Sequence, residues 1–342
     1  MMVSELSCKA HKLVKITIAL LTLLLSTQSA HAVFKLEQVL NEPYFSASDI
    51  EAVRKGGFGV AKIHEVSDRE IAVVIACMVK GEREDALAPF LGDSLPVDEK
   101  LLLEQGLINP ETPATSFDGI SLVSNERDEI RHYLHAEPGV GLNLSSDEIA
   151  TLQALRGTAD PARVEALLED MLHARYQSYR ENGLAGAKRY AREKGAAVSP
   201  GEELRKSEEN MQGLHELYPD FHNAWLSYPR NQPADVVGDD YFWVKLNIDE
   251  RPAFVLSHRL ASRNEDMYLV GIRDYYVSHF FDVSQRVAVV TRLDSGADIL
   301  IYIERAWVDY WSGFASLSKK IGHKVMKQQM EHFLEDHGIC GR

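Results

Sequence analysis

The amino-acid sequence predicts an α+β protein in which an antiparallel sheet packs on a long C-terminal helix and carries a large helical insertion. After Pro229, hydrophobic residues alternate with period two over several runs separated by short turns. Connections this short suit antiparallel neighbours, because a parallel pair needs a long crossover. The period becomes 3.6 over residues 315–336, and Gly338 follows as a helix stop. Strands and helices segregated in this way are typical of the α+β class.

The N-terminal elements are predicted from capping and turn residues. Ser46 begins a capping box for a helix that should end at Arg54. Two β-rich runs on either side of Ser67 predict a hairpin. A short helix over residues 82–91, broken near its proline, and a strand over residues 117–123 should follow.

A block of amphipathic helices covers residues 143–229, starting with a capping box at Ser145. Its helices are predicted at residues 146–156, 161–182, 184–193, 201–217 and 220–227. If the strands before residue 124 join the C-terminal sheet, the block is an insertion; if they do not, there are two domains. We expect a single domain over residues 33–342, with the main sheet and last helix over residues 237–337.

The strands after the helical block are predicted at residues 241–248, 253–263, 267–283, 286–293 and 299–311. The third strand includes the stretch RDYYVSHFFDVSQ, residues 273–285, which has almost no polar face. The two sets of side chains that would lie on opposite sides of this strand are Tyr276, Ser278 and Phe280, and Tyr275, His279 and Phe281. We expect one side to face the C-terminal helix and the helical block to cover the other.

The first 32 residues have the organisation of a secretory signal peptide. Three lysines precede an apolar run of ten residues at 16–25, and Ala30 and Ala32 form an A-x-A cleavage site. A membrane span needs about 20 apolar residues, so this run is too short to be one. We therefore expect cleavage after Ala32, export to the periplasm or the outside of a bacterial cell, and no stable membrane span in the mature chain.

Removal of this segment leaves a strongly acidic chain. The whole chain has 37 Lys and Arg against 51 Asp and Glu; the first 32 residues hold three Lys and one Glu, so 34 stand against 50 afterwards. A net charge of −16 disfavours nucleic acid as a partner, because phosphates need a basic surface. An anionic membrane surface would repel the protein for the same reason.

Two cysteines, Cys77 and Cys340, remain after cleavage. An oxidising compartment allows them to form a disulfide, which would close a long loop and stabilise the fold. Alternatively, Cys77 is a small buried residue of the apolar run IAVVIACMV. The sequence leaves both alternatives open.

The C-terminal third resembles START-like and polyketide-cyclase-like proteins in its order of elements and in the run ILIYIERAWVDYWSGF before the last helix. This resemblance implies the helix-grip fold, in which a curved antiparallel sheet wraps around a long C-terminal helix and an apolar ligand is held between them. The helical block departs from that pattern. The whole chain also resembles a family of exported proteobacterial proteins of unassigned function, through the stretches YRENGLAGAKRYAR, YYVSHFFD and GFASLSKKIGHKVM. That second resemblance carries no activity over to this chain.

The resemblance implies a pocket between the sheet and the C-terminal helix. The candidate ligand contacts are Tyr276, Ser278, Phe280, His279 and Arg305. Aromatic side chains with a few polar groups are what an apolar-ligand pocket needs, although a plain core needs them too. Arg305 interrupts an apolar strand, so it would either meet a ligand carboxylate or phosphate or pair with an internal acid such as Asp274 or Asp282.

No sequence motif identifies a reaction. Ser278 and His279 are adjacent, so on a strand they would point to opposite faces and could not act as nucleophile and base. G-x-S-x-G, H-E-x-x-H and C-x-x-C do not occur in the chain. His258 and His279 would lie on neighbouring strands, where we expect them to be core or hydrogen-bonded histidines. We therefore expect no catalytic residue, no metal site and no cofactor.

A basic, tyrosine-rich stretch interrupts the acidic chain within the helical block. Its residues are Tyr176, Tyr179, Arg180, Lys188, Arg189, Tyr190 and Arg192. It would either contact an anionic lipid head group or partner protein, or form a solvated face whose tyrosines lie over the sheet.

The sequence therefore predicts an exported soluble protein that binds an apolar or amphipathic, lipid-like small molecule between the sheet and the C-terminal helix, without catalysis. One alternative is an enzyme of unknown class that uses the same cavity. Another is an envelope interaction protein that has no ligand and whose helical block docks a partner. A large enclosed pocket would favour the first two functions, and an open apolar patch on the helical block would favour the third.

Overall fold

The computed structural model describes residues 35–40, 44–61, 63–122, 127–157, 160–264, 267–308 and 315–341. The signal peptide expected over the first 32 residues lies outside this part of the chain. The described residues form an α+β architecture in which a large antiparallel sheet has helices on both faces. None of the described helices is long and apolar enough to cross a membrane.

Ten strands occur in the described residues, and eight of them form one sheet. They are β1 Gly59–Ala61, β2 Glu70–Met78, β3 Leu102–Leu107, β4 Tyr190–Ala191, β5 Ala197–Val198, β6 Val236–Ile248, β7 Arg251–Arg263, β8 Met267–Val277, β9 Phe281–Arg292 and β10 Asp298–Val308. The order across the large sheet is β1-β2-β10-β9-β8-β7-β6-β3, with every neighbouring pair antiparallel. Because β1, β2 and β3 join this sheet, the helical block lies in sequence between two of its strands.

The helices flank the sheet. They are α1 Leu36–Val39, α2 Ala47–Arg54, α3 Arg83–Leu91, α4 Arg127–Leu134, α5 Ser146–Ala154, α6 Pro161–Asn182, α7 Pro200–Glu209, α8 Gln212–Leu217, α9 Pro219–Ser227 and α10 Ala315–Asp336. Capping boxes at Ser46 and Ser145 start α2 and α5, as the sequence predicts. The helix expected over residues 184–193 is absent from this described stretch, because Gly183 has a positive φ of 57° and a short 3₁₀ turn leads into β4. The helix expected over residues 201–217 divides at Asn210 into α7 and α8.

The two faces of the sheet bury different helices. On one face α3 and α10 pack on the strands, α10 through Met326, Met330 and Leu334. A disulfide joins Cys77 of β2 to Cys340 just beyond α10, with their Cα atoms 6.0 Å apart. On the other face lie α1, α2 and the helical block. We call these the C-terminal-helix face and the insertion face.

The prediction of one strand over residues 267–283 is wrong. β8 ends at Val277 and β9 begins at Phe281, and residues 278–280 form a tight turn in which Phe280 has a φ of 84°. A β-bulge also shifts the register, because Leu256 pairs with Tyr276 while Ser257 pairs with Asp274. The bulge places Tyr275 and Tyr276 in the same core on the insertion face, so side chains do not alternate as on a regular strand.

Before the helical block, two further predictions are wrong and one strand was not predicted. Residues 117–122 form no strand; Leu122 instead donates its backbone N–H to the carboxylate of Glu165 at 2.7 Å. β3 was not predicted, because it is an edge strand that leaves Leu103 and Leu107 half exposed and so lacks a clear alternating pattern. The predicted break at Pro89 also does not occur, because α3 runs through this residue to Leu91.

Candidate ligand-binding site

An apolar cleft of about 150 Å³ lies on the insertion face. Its floor is formed by Val289 of β9 and by Ile301 and Ile303 of β10. Its walls come from the α1–α2 region, from the chain just after β1, and from α8 with its flanking residues, and include Tyr44, Phe45, Ile63, Met211, Leu214 and Tyr218. Its concave, mostly apolar lining is of the kind found in sites for apolar small molecules, and its volume is smaller than the usual range of about 300–1,000 Å³ for such sites.

A row of polar side chains crosses the same face of the sheet beside this cleft. Gln285 of β9 lies between Arg273 of β8 and Arg305 of β10, and is the pairing partner of both. All three side chains are buried. Arg305 follows the floor residue Ile303 by two positions on β10, so their Cα atoms are about 7 Å apart and their side chains share a face. The apolar floor therefore continues into the polar row.

Arg305 is held by an internal acid, but not by either of the acids expected from the sequence. Its Nε and Nη2 donate to the two carboxylate oxygens of Glu70 at 2.8 and 3.0 Å. Ser207 of α7 also donates to Glu70, and Trp307 donates to the Ser207 hydroxyl. The remaining nitrogen of Arg305, Nη1, has no hydrogen-bond partner among the described residues.

Arg273 and Gln285 are less completely paired. Nη1 of Arg273 donates to the Tyr179 hydroxyl at 3.2 Å and to the Trp225 carbonyl at 3.1 Å, and its guanidinium lies 4.0 Å from the centre of the Trp225 ring. Nε and Nη2 of Arg273 and both amide atoms of Gln285 have no hydrogen-bond partner within the described chain. Buried polar atoms are normally paired with protein groups, water or an ion, so these atoms keep hydrogen-bonding capacity that the described chain does not use.

α7 carries Glu208 into the same region. Both carboxylate oxygens of Glu208 are buried and accept no hydrogen bond from the described residues, although Nε2 of His222 lies 3.6 Å from one of them. Burial raises the pKa of Glu208 to about 7, and the positive charges of Arg273 and Arg305 oppose this shift. Glu208 therefore gains or loses its proton in the region of neutral pH.

The structure separates the candidate contacts predicted from the sequence. Arg305 lies in the polar row, whereas Tyr276 is buried deeper in the insertion face, where the Arg175 guanidinium stacks over its ring at 4.1 Å. Ser278 and His279 are buried in the β8–β9 turn, and Phe280 is 59 % exposed at its tip. These residues do not converge on one pocket.

Ser278 and His279 contact each other, contrary to the expectation from strand geometry. Ser278 Oγ lies 3.1 Å from Nδ1 of His279, because the two residues form a turn and not part of a strand. Ser278 Oγ also accepts the backbone N–H of Phe254 at 2.9 Å. Burial lowers the pKa of His279 to about 4, so this imidazole is neutral near pH 7. The pair thus links the turn to β7.

The basic stretch divides into buried and exposed parts. Tyr176, Tyr179 and Tyr190 are buried under the insertion face. Lys188 and Arg189 line an open surface cleft of about 860 Å³ whose lining also includes Glu137, Asp147 and Glu193. Because acidic and basic groups alternate around it, this cleft is not a concentrated anion site.

His258 lies behind the polar row. Nε2 of His258 is 2.9 Å from a carboxylate oxygen of Asp239, and Nδ1 is 3.0 Å from the Tyr179 hydroxyl. Burial lowers the pKa of His258, with Asp239 opposing the shift. His258 pairs with Arg273 in the sheet and His279 sits in the turn, so the two histidines do not meet as a metal site would require. No group of three or more metal-ligating side chains occurs among the described residues.

Sequence reasoning missed Arg273, Gln285 and Glu208. Arg273 and Gln285 stand in apolar runs, VGIRDYYV and VSQRVAVV, as Arg305 does in its own. The same rule, that a charged residue within an apolar strand has a specific partner, would have selected Arg273 as well. Glu208 gave no such signal, because helix residues of its type are usually exposed.

Comparison with known proteins adds little to this description. No protein family and no curated protein matches the chain in sequence. Among solved structures, 17 chains match. One of them, "Crystal structure of Ara h 8.0201", is 11 % identical, with the match covering 30 % of this chain and 73 % of that one at a TM-score of 0.19. A likeness at this TM-score carries no argument about fold or function.

Proposed function

We propose that the protein binds an apolar or amphipathic, lipid-like small molecule and does not transform it. The observation that carries this proposal is the continuity between the apolar cleft and the polar row, from Ile303 to Arg305 on β10. The cleft offers a surface for a hydrocarbon chain, and the row offers buried polar atoms that have no other described partner. Binding is therefore proposed on the insertion face, and not between the sheet and α10 as the resemblance implied.

We also propose that the main sheet and α10 form a helix-grip arrangement. The order β2, α3, β3, then β6 to β10 and α10 supports this proposal, because α3 and α10 share one face of a continuous antiparallel sheet. In this arrangement the helical block is an addition that covers the opposite face. The chemistry of the ligand site would then depend on the addition more than on the common fold.

Export to the periplasm or outside the cell is the third part of the proposal. It is supported by the basic, apolar and A-x-A segments before Val33 in the sequence. The Cys77–Cys340 disulfide is also consistent with it, because such bonds persist in oxidising compartments.

Native mass spectrometry of the mature protein isolated from its own compartment would test the binding proposal. We expect a co-purifying lipid-like molecule at close to one per chain, identified after denaturing extraction. A mass without ligand, together with no thermal shift against a panel of envelope lipids, would overturn the proposal.

Two glycines provide a matched pair of variants for this experiment. Gly213 lines the cleft and a side chain added there would enter open space, so Gly213→Phe should narrow the cleft without a backbone clash. Gly157 also faces open space, but it does not line the cleft. We expect Gly213→Phe to lose the ligand and Gly157→Phe to keep it. Equal occupancy in both variants would place the ligand elsewhere.

A further inference from the structure

We infer that the ligand is a single-chain monocarboxylate whose carboxylate binds Arg273, Gln285 and Arg305 and whose hydrocarbon chain lies in the apolar cleft. This inference rests on the proposed function and names the class of its ligand. It specifies a head group with one negative charge, and it places that head group in the polar row beside the cleft.

The hydrogen-bonding groups of the row match a carboxylate. Four donor atoms are buried without a described partner: Arg273 Nε, Arg273 Nη2, Gln285 Nε2 and Arg305 Nη1. The side chains that carry these donors lie on three adjacent strands and on the same face of the sheet. Adjacent strands are about 4.8 Å apart. A guanidinium presents its donors in a planar fork that fits the two oxygens of a carboxylate. One carboxylate would satisfy several of these donors at once.

The charges around the row favour a monoanion. Arg305 is already neutralised by its two hydrogen bonds to Glu70. Arg273 contacts the uncharged Tyr179 hydroxyl and the Trp225 carbonyl. His258 lies beside it with a pKa lowered by burial, and Asp239, which contacts the far side of His258, is partly exposed. When Glu208 carries its proton, one positive charge is left over. A monocarboxylate would balance it, whereas a phosphate monoester dianion would leave a buried negative charge.

Met211 connects the row to the cleft. It lines the cleft, and it packs in the same buried cluster as Trp225 and Val287, close to the row. Its backbone N–H donates to the carbonyl of Glu208 at 2.9 Å, so the two residues are one turn apart. An unbranched methionine side chain repacks at low cost, which would let a ligand pass from the cleft to the row.

Calorimetric titration with dodecanoate and dodecanol at pH 7 tests this inference. The two probes share a chain and differ in the head group, so the difference in their affinities isolates the carboxylate contact. We expect dodecanoate to bind about tenfold more tightly than dodecanol or better, as for a hydrogen bond to a charged group. Equal affinities would overturn the carboxylate inference and leave the proposed function standing. Binding of neither probe would overturn both.

The variant Gln285→Leu makes the test residue-specific. It removes two unpaired amide atoms and keeps a similar volume, so it should fold at least as stably as the parent protein. We expect dodecanoate affinity to fall about tenfold and dodecanol affinity to stay within about twofold. Arg273→Lys keeps the positive charge but loses the fork, and should weaken dodecanoate binding in the same selective way. Unchanged dodecanoate affinity in both variants would overturn the assignment of the row.

Discussion

The two faces of the sheet both bury charged side chains, but they pair them to different extents. On the C-terminal-helix face, Asp274 accepts hydrogen bonds from Ser257, Ser284 and Arg286, and Nε of Arg286 is the exception that has no described partner. On the insertion face, Gln285 and the carboxylate of Glu208 have no described hydrogen-bond partner. On the first face nearly all of these buried polar atoms have a hydrogen-bond partner, whereas on the second face several have none.

This difference indicates where a ligand can bind. A paired network in a core contributes to a unique structure and has little left to offer a ligand. A network with unpaired atoms carries a desolvation cost that a ligand can remove. The resemblance in the order of elements suggested the opposite face, because it places a ligand between the sheet and the C-terminal helix, and α10 packs on that face. Our proposed site therefore follows the unpaired buried polar atoms and not the order of elements.

The largest expected effect is a loss of stability when the disulfide on the C-terminal-helix face is removed. Replacing Cys77 and Cys340 together with alanine should lower the free energy of unfolding by about 4 kcal/mol, because their bond links positions 263 apart in the chain. Urea unfolding would measure this loss. The affinity for dodecanol under native conditions should not change, since the cleft is on the other face. A parallel loss of dodecanol binding would contradict the functional separation of the faces.

The next prediction concerns the pH dependence of stability, which one buried glutamate on each face should influence. Burial raises the pKa of Glu208 and of Glu304 to about 7, from an ordinary value of 4.5. A raised carboxyl pKa means that the folded state holds the proton more tightly than the unfolded state. The associated stability is complete below about pH 4.5 and is lost as pH rises through 7. Each ionised carboxylate then costs about 3 kcal/mol, less for Glu304 because it keeps some exposure.

Glutamine variants at these two positions would separate stability from binding. We expect Glu208→Gln and Glu304→Gln to flatten the decline of unfolding free energy between pH 5 and pH 8. Dodecanoate binding at pH 8 should rise in Glu208→Gln, which removes a competing negative charge, and should stay constant in Glu304→Gln. If dodecanoate affinity changed equally in both variants, Glu208 would not act on the ligand through the polar row.

The smallest expected effect is a change in stability when the turn between β8 and β9 is altered. Phe280 has a positive φ and is largely exposed, so Phe280→Gly should raise the free energy of unfolding by about 1 kcal/mol. Phe281 is the matched control, because it packs partly against the C-terminal-helix core, and Phe281→Gly should lower stability. Thermal and urea unfolding would measure both. Destabilisation by Phe280→Gly would argue against this turn.

Much of the fold follows from local patterns in the sequence. Period-two runs predict β6, β7 and β10, and the 3.6-residue stripe predicts α10, because each pattern covers eight residues or more. The turn at residues 278–280 escapes this reasoning. Its residues Ser278, His279 and Phe280 include no glycine, proline or asparagine, and the flanking residues are apolar on both sides.

The candidate site is harder to predict, because it depends on register. Arg273, Gln285 and Arg305 become neighbours through the pairing of three strands, and no spacing along the chain encodes that pairing. The bulge at Tyr275 adds a shift that pattern reasoning cannot place. Glu208 joins the row through the packing of a helix on the sheet. Arg305 was found because the adjacent charges of Glu304 and Arg305 interrupt an otherwise apolar strand, which is visible in the sequence itself.

Photoaffinity labelling tests the central claim most directly. Dodecanoate carrying a diazirine at the end of its chain would be bound to the mature protein, irradiated and mapped by peptide mass spectrometry. We expect labels around Met211, Leu214 and Tyr218 and on the cleft floor at Ile301 and Ile303, with competition by unlabelled dodecanoate. Competed labels confined to α10 would contradict the assignment of the ligand site to the insertion face.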